Sequence, residues 1–186
     1  LDLLNAMRVE YEELGEEEKC MNVCNEIVKL ILTKDFKRDN IDIILLATYD
    51  TRARLGDFRS YCVALEWNRP IEKQFFLPRK RILEKHGLIQ AMQDMADDKL
   101  DFLFISLPPR IGKSTLGIFF LTFMAGRFPE RSILGNGHSN SLTQAFYNEI
   151  LNIMTSDEYR FNQIFPNTSI VNKSSEYSFL DLNRPK

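Results

Sequence analysis

The residues best equipped for chemistry stand at 112–115, Gly112-Lys113-Ser114-Thr115, inside the run SLPPRIGKST (106–115). A glycine, a lysine and a hydroxyl in this order suit the binding of a polyphosphate. Consecutive backbone N–H groups at the start of a helix attract anions. The lysine reaches the β- and γ-phosphates, and the hydroxyl is a ligand for Mg2+. The full Walker A pattern, G-x-x-x-x-G-K-[ST], asks for glycine at 107, where this chain has Leu107. That front half only turns the chain off the preceding element. Pro108 and Pro109 can do so rigidly, although proline contributes no N–H. Leu107 therefore weakens the match without removing the chemistry. The candidate residues for ATP are Pro109, Arg110, Ile111, Gly112, Lys113, Ser114 and Thr115, with Ser114 also on Mg2+. The alternative is a surface turn in which Lys113 is a solvated charge. Arg110, two residues before the loop glycine, places a second cation near the γ-phosphate. It could act there as an arginine finger in cis or a phosphate sensor, or else hold the loop through an ion pair. Lys113 and Arg110 are the candidate catalytic residues.

Such a loop needs a strand before it and a helix after it. DFLFISL (101–107) reads as a short buried strand, and TLGIFFLTFMAGRF (115–128) as a helix apolar nearly all round, hence buried. RSILGNGH (131–138) reads as a second strand ending at Gly137. SLTQAFYNEILNIMTSDEY (141–159) reads as a second helix, with Ser141 and Gln144 at capping-box spacing. The order strand, loop, helix, strand, helix predicts an α/β fold, a P-loop NTPase-type parallel sheet flanked by helices. Upstream, KRILEKHGLIQAMQDMADDK (80–99) predicts one amphipathic helix on Ile82, Leu83, Leu88, Ile89, Met92 and Met95. Residues 1–34 read as helical with a break at Gly15. DNIDIILLATYDTRARL (39–55) reads as a helix capped by Asp39 or Asn40. The stretch from Gly56 to Lys80 is less periodic, and Pro70 and Pro78 suggest an irregular connection. This divides the chain into a mainly helical region, 1–70, and the first part of a P-loop ATPase domain, 79–186.

Composition excludes several classes. Apolar residues make up 44% and charged ones 27% of the 186 residues, as in soluble globular proteins. The longest apolar run, Leu116 to Gly126, is too short to cross a bilayer. The start, LDLLNAMRVEYEEL, is not built like a signal peptide. Cys20, Cys24 and Cys62 are an odd number without framework spacing, which points to reduced thiols in a cytoplasm. Cys20 and Cys24 can share a helix face, but no further ligand lies nearby to complete a metal site. Residues 1–70 carry 10 Lys/Arg against 14 Asp/Glu, and residues 71–186 carry 14 against 12. Neither half is a basic nucleic-acid-binding tail. His86 reads as a surface or packing residue, and His138 as the better placed of the two histidines. Trp67, Phe75 and Phe76 could form a stacking surface or pack the two regions together.

The run FLFISLPPRIGKSTLGIFFLTFMAGRFPERSILGNGHS resembles the large terminase subunits of tailed bacteriophages and prophages. In that family the phosphate loop commonly reads P-P-R-x-G-K-[ST], filled here by Pro108, Pro109, Arg110, Gly112, Lys113 and Ser114. The resemblance extends through ILGNGHSNSLTQAF and NEILNIMTSDEYRFNQIFP and covers about residues 79–186. It implies an ATP-driven motor that packages double-stranded DNA into a procapsid, with a nuclease domain downstream. It implies a homo-oligomeric ring docked on the portal protein, a small terminase subunit that recognises DNA, and the cytoplasm of a bacterial host. By position, Lys113 would hold the β/γ-phosphates, Ser114 the magnesium and Arg110 the γ-phosphate. The family also contacts adenine from upstream of the loop, for which Gln90 and Gln93 fit only loosely.

The chain departs from the family in one respect. An NTPase needs an apolar strand ending in Asp, usually followed by Glu. After the loop only SFLDLN, with Asp181, comes near it, and IILLATYD, ending at Asp50, precedes the loop and looks helical. The expectation is a piece of a longer protein carrying half an active site, with little or no ATP turnover alone. Two other classes stay open: a helicase-like, nucleic-acid-stimulated NTPase, and a module whose helices at 1–70 dock a partner while nucleotide is secondary. A small-molecule kinase would also need a lid and an acceptor site, which the sequence does not offer.

Overall fold

The computed structural model describes residues 1–33 and 40–183. The protein is mainly helical. Helices α1 (Asp2–Glu13) and α2 (Glu17–Thr33) form a hairpin turned at Gly15, whose φ of 69° is left-handed. Helix α3 (Ile41–Arg54) follows, with Asn40 at its N-cap; Asp39, the other expected cap, lies outside the described residues. Arg8 of α1 donates to Thr51 of α3 at 2.6 Å, and Arg54 of α3 pairs with Glu12 of α1. These contacts tie the hairpin to α3.

Helix α4 (Phe58–Leu65) is the centre of the molecule. The low periodicity of this stretch suggests an irregular connection, but it is helical. Asp57 caps α4 by accepting from Ser60 N. Every residue of α4 except Arg59 is buried. A helix covered on all sides has no polar face, so it shows no amphipathic period. Around it pack α3, α5 (Phe76–Lys85), α6 (Leu88–Ala96), α7 (Lys113–Arg127) and α9 (Phe161–Ile164). Tyr61 of α4 donates to Thr122 of α7 at 2.8 Å inside the core. Phe58 and Tyr61 from the first region and Phe123, Phe161 and Phe165 from the second form a continuous aromatic cluster. Trp67 packs there against Tyr49.

Three further expectations change. The helix predicted over 80–99 is two helices, α5 and α6, because Gly87 adopts φ 69° between them and ends the first. Helix α8 (Asn140–Thr155) is capped by Ser139, whose Oγ accepts from Leu142 N, rather than by Ser141. Gln144 bonds to Asn148 and Ser178 instead of reaching back to a cap.

The largest correction concerns fold class. The parallel P-loop sheet expected of an α/β protein is not formed among the described residues. The described residues contain one sheet, an antiparallel hairpin of β1 (Ile170–Ser174) and β2 (Phe179–Leu182), registered Ser174 to Phe179 and Lys173 to Leu180. Residues 101–107 and 131–138, read as strands, are irregular, and apart from Arg131 N to Phe128 O they make no backbone–backbone hydrogen bond to a described residue. A strand exists only as one of a pair, and these runs have no partner among the described residues. Most of their apolar side chains stand in solvent, with Phe104 94% and Leu134 89% exposed, while Leu103 packs partly against the core. The pattern of apolar residues marked a stretch suited to a sheet, but it could not supply the neighbouring strand.

Candidate functional site

The run 108–115 leaves this irregular segment and enters α7. Its backbone is shaped by two left-handed residues, Arg110 at φ 67° and Gly112 at φ 94°, on either side of Ile111. Alternation of this kind turns successive N–H groups towards one side, forming a concavity suited to an anion. The backbone N–H groups of residues 110–115 donate to no acceptor among the described residues. The first helical bond in this region is Leu116 N to Gly112 O, at 2.9 Å. Six consecutive donors are thus available where the positive end of a 15-residue helix lies. Gly112 is the N-cap of α7 and has no side chain to obstruct them.

Lys113 folds back across the loop, its Nζ donating to Leu107 O at 3.2 Å. The ammonium therefore spans the loop from its end to its start. It takes as acceptor the carbonyl of the residue that replaces the usual first glycine. Ser114, beside it in the first turn, is exposed, and its hydroxyl makes no hydrogen bond to a described residue. Arg110 is exposed and has no carboxylate partner among the described residues, so the loop-holding ion pair weighed from the sequence is not formed there. Pro109 is also exposed, while Ile111 and Thr115 are half-buried at the edge of the loop. Of the seven consecutive sequence-predicted residues, Pro109 to Gly112 form the turn and Lys113 to Thr115 open α7.

The floor of the loop comes from Phe75, for which the sequence offered a stacking surface or packing between the two regions but no place at the loop. The ring of Phe75 lies directly under Gly112, and a Cβ placed on that glycine would meet Phe75 Cε2 at 2.1 Å. Phe75 is held in turn by Glu66, whose carboxylate accepts from Phe75 N at 2.9 Å and Phe76 N at 2.8 Å. This places a negative charge at the start of α5, where the helix dipole favours it. Arg69 pairs with the same carboxylate and donates to Tyr159 Oη at 2.8 Å. Burial pushes the Glu66 carboxyl up, opposed by the two backbone donors and by Arg69. No motif marks Glu66. Its only signal in the sequence is a charged residue that closes an apolar helix.

The remaining candidates lie elsewhere. Gln93 is fully engaged: its Oε1 accepts from Phe58 N, and its Nε2 donates to Gly56 O and Asp97. Gln90 bonds to Asp94 on an exposed face. Asp50 is helical, as expected, and is buried against Arg160 at 2.7 Å. Asp181 stands exposed on β2. His86 and His138 are exposed. The three cysteines are free and fully buried, and burial pushes Cys24 up to about 12. Among the described residues no cluster of His, Cys, Asp or Glu could hold a metal, and no helix is long and apolar enough to cross a membrane. No protein-family model, curated protein or solved structure matches the chain.

Proposed function

We propose that residues 108–115 form the ATP-binding loop of a viral DNA-packaging motor, the large subunit of a terminase. The observation that carries nucleotide binding is the run of six unused N–H donors at 110–115, closed over by Lys113. In this reading the Lys113 ammonium exchanges the Leu107 carbonyl for β- and γ-phosphate oxygens. The backbone donors surround the β-phosphate, Arg110 meets the γ-phosphate, and Ser114 supplies one oxygen to Mg2+. Bound Mg2+ would neutralise charge on the phosphates, with water and phosphate oxygens completing its shell. The assignment to packaging rests on the sequence PPRIGKS and its flanks. With it come double-stranded DNA, a small terminase subunit, a portal protein and a ring of identical subunits as partners, all in the cytoplasm of a bacterial host.

The test is calorimetric titration of the 186-residue chain with Mg-ATP, with Lys113→Ala as the comparison. The expected result is binding that the variant weakens by on the order of a hundredfold, the scale of two lost charge-assisted hydrogen bonds. Turnover by this chain is expected to be slow, because no acidic partner for the metal accompanies Ser114 among the described residues. Equal binding by the variant, or none by the folded protein, would remove the reading.

A further inference from the structure

The loop has a further cation beside it that no motif announces. Arg79, in the first turn of α5, donates to Phe75 O at 3.2 Å and lays its guanidinium over the Phe75 ring, 5.2 Å from the centroid. That same ring lies against Gly112. Phe75 is pinned from behind by an edge-on contact with Phe119 and from its backbone by Glu66. Arg79 is therefore held on a fixed platform at the rim of the anion concavity. Among the described residues it has no carboxylate partner. Lys113 and Arg110 have none either. Of the other arginines, Arg69 is paired with Glu66 and Glu158 and Arg59 with Glu84, while Arg81 on the same helix as Arg79 has no carboxylate partner among the described residues.

Three cations around one helix start, none neutralised, repel one another and add to the positive end of the helix dipole. An anion of several charges would relieve this, and a triphosphate carries enough. We infer that Arg79 is a phosphate-binding residue of the loop and that the site recognises its ligand mainly through the polyphosphate chain, not the base. This rests on the reading of 108–115 as a nucleotide site. Arg79 has one N–H committed to Phe75 O, which leaves the other edge of its planar fork free for phosphate oxygens.

The experiment is titration of the chain with Mg-ATP and, separately, with inorganic tripolyphosphate, using wild type, Arg79→Ala, Arg79→Lys and Lys113→Ala. Thermal melts establish that each variant is folded. Arg79→Ala is expected to weaken both ligands by on the order of tenfold and to flatten the salt dependence of binding. Arg79→Lys, which keeps the charge and most of the stem, is expected to recover most of the loss at low salt. Loss of ATP binding with tripolyphosphate unaffected would make Arg79 a base contact and overturn the inference. Unchanged binding of both ligands by Arg79→Ala, while Lys113→Ala fails, would overturn it and leave the nucleotide reading standing. Binding that Lys113→Ala does not weaken would overturn both. If Arg79→Ala alone is misfolded, the folded Arg79→Lys decides. Wild-type affinity with an unchanged salt slope supports a charge acting on phosphate, and a full tenfold loss at low salt counts against it.

Discussion

Phe75 occupies the space that a side chain on Gly112 would need. A Cβ on Gly112 would come within 2.1 Å of the ring edge, and the glycine's φ of 94° is itself closed to most residues. The glycine of the loop is therefore required twice, once by its own backbone and once by the ring beneath it. Gly112→Ala is expected to destabilise the protein by about 1–3 kcal/mol, from left-handed strain and displacement of the ring. It is also expected to abolish Mg-ATP binding. Adding Phe75→Leu should return part of the stability but not the binding, since only the clash is relieved. Urea melts of the two single variants and the double variant measure this non-additivity. Strict additivity would show that the ring moves aside freely.

Glu66 sets the position of that ring, and its burial makes the contribution depend on pH. Because its carboxyl is pushed up in the folded protein, the native state holds a proton to higher pH than the unfolded chain does. Stability from this group therefore falls as pH rises from the ordinary carboxylate range through the raised folded value, and is level above it. Glu66→Gln should remove that slope. At neutral pH it should cost about 1–3 kcal/mol, since the amide presents a donor where the carboxylate accepts from Phe75 and Phe76. Urea melts between pH 4 and 8 test both statements. A slope unchanged in the variant would assign it to another group.

The sequence made the loop legible because its residues act through their own backbone and near neighbours. Gly112, Lys113 and Ser114 are contiguous, and the apolar helix behind them is unmistakable. The two-helix start with its break at Gly15 was legible for the same reason. What escaped was everything that depends on distant partners. Helix α4 lacks a period because it is buried all round. Phe75 reaches the loop through its ring contacts with Gly112 and Phe119, and Arg79 is tied to it only through that ring. The runs at 101–107 and 131–138 have strand-like composition, but pairing belongs to two segments at once. Only the fold shows that these two remain unpaired among the described residues. Gly87 also reads differently in context: it lies within a continuous apolar period, and its left-handed turn, not the period, decides that α5 and α6 are separate.

The cysteines should be chemically silent in the folded state. All three are fully buried. Burial pushes the thiols of Cys20, Cys24 and Cys62 up, Cys24 to about 12, so at pH 8 little thiolate exists to react. Iodoacetamide at pH 8 is expected to label none of them within an hour in buffer and all three in 6 M guanidinium, as read by intact mass. Rapid labelling at Cys20 or Cys24 in buffer would show that the α1–α2 hairpin opens away from α3.

The pair Asp50–Arg160 joins α3 to the start of α9 across the core, 110 residues apart in the chain. Arg160 is fixed further by its backbone N–H to Leu65 O at the end of α4. Burial raises the Asp50 carboxyl and Arg160 opposes the shift. Asp50 Oδ1 and Arg160 Nε find no second partner among the described residues, so the pair is desolvated without being fully satisfied. Removing one member should then cost more than removing both. Arg160→Met is expected to destabilise by about 3–5 kcal/mol at pH 7, because it leaves a buried carboxylate alone. The carboxyl can escape that penalty by taking a proton, so the cost should shrink as pH falls towards 5. Asp50→Asn gives Arg160 no such escape, since the guanidinium stays charged at every accessible pH. Because folded wild type holds a proton on Asp50 to higher pH than the unfolded chain does, the cost of this variant should not shrink as pH falls towards 5. The double variant Asp50→Asn/Arg160→Met should lie well above the sum of the singles in stability. Urea melts of the four proteins at the two pH values give the comparison. An Arg160→Met cost that does not change with pH would mean that the guanidinium acts here through its packing and not its charge.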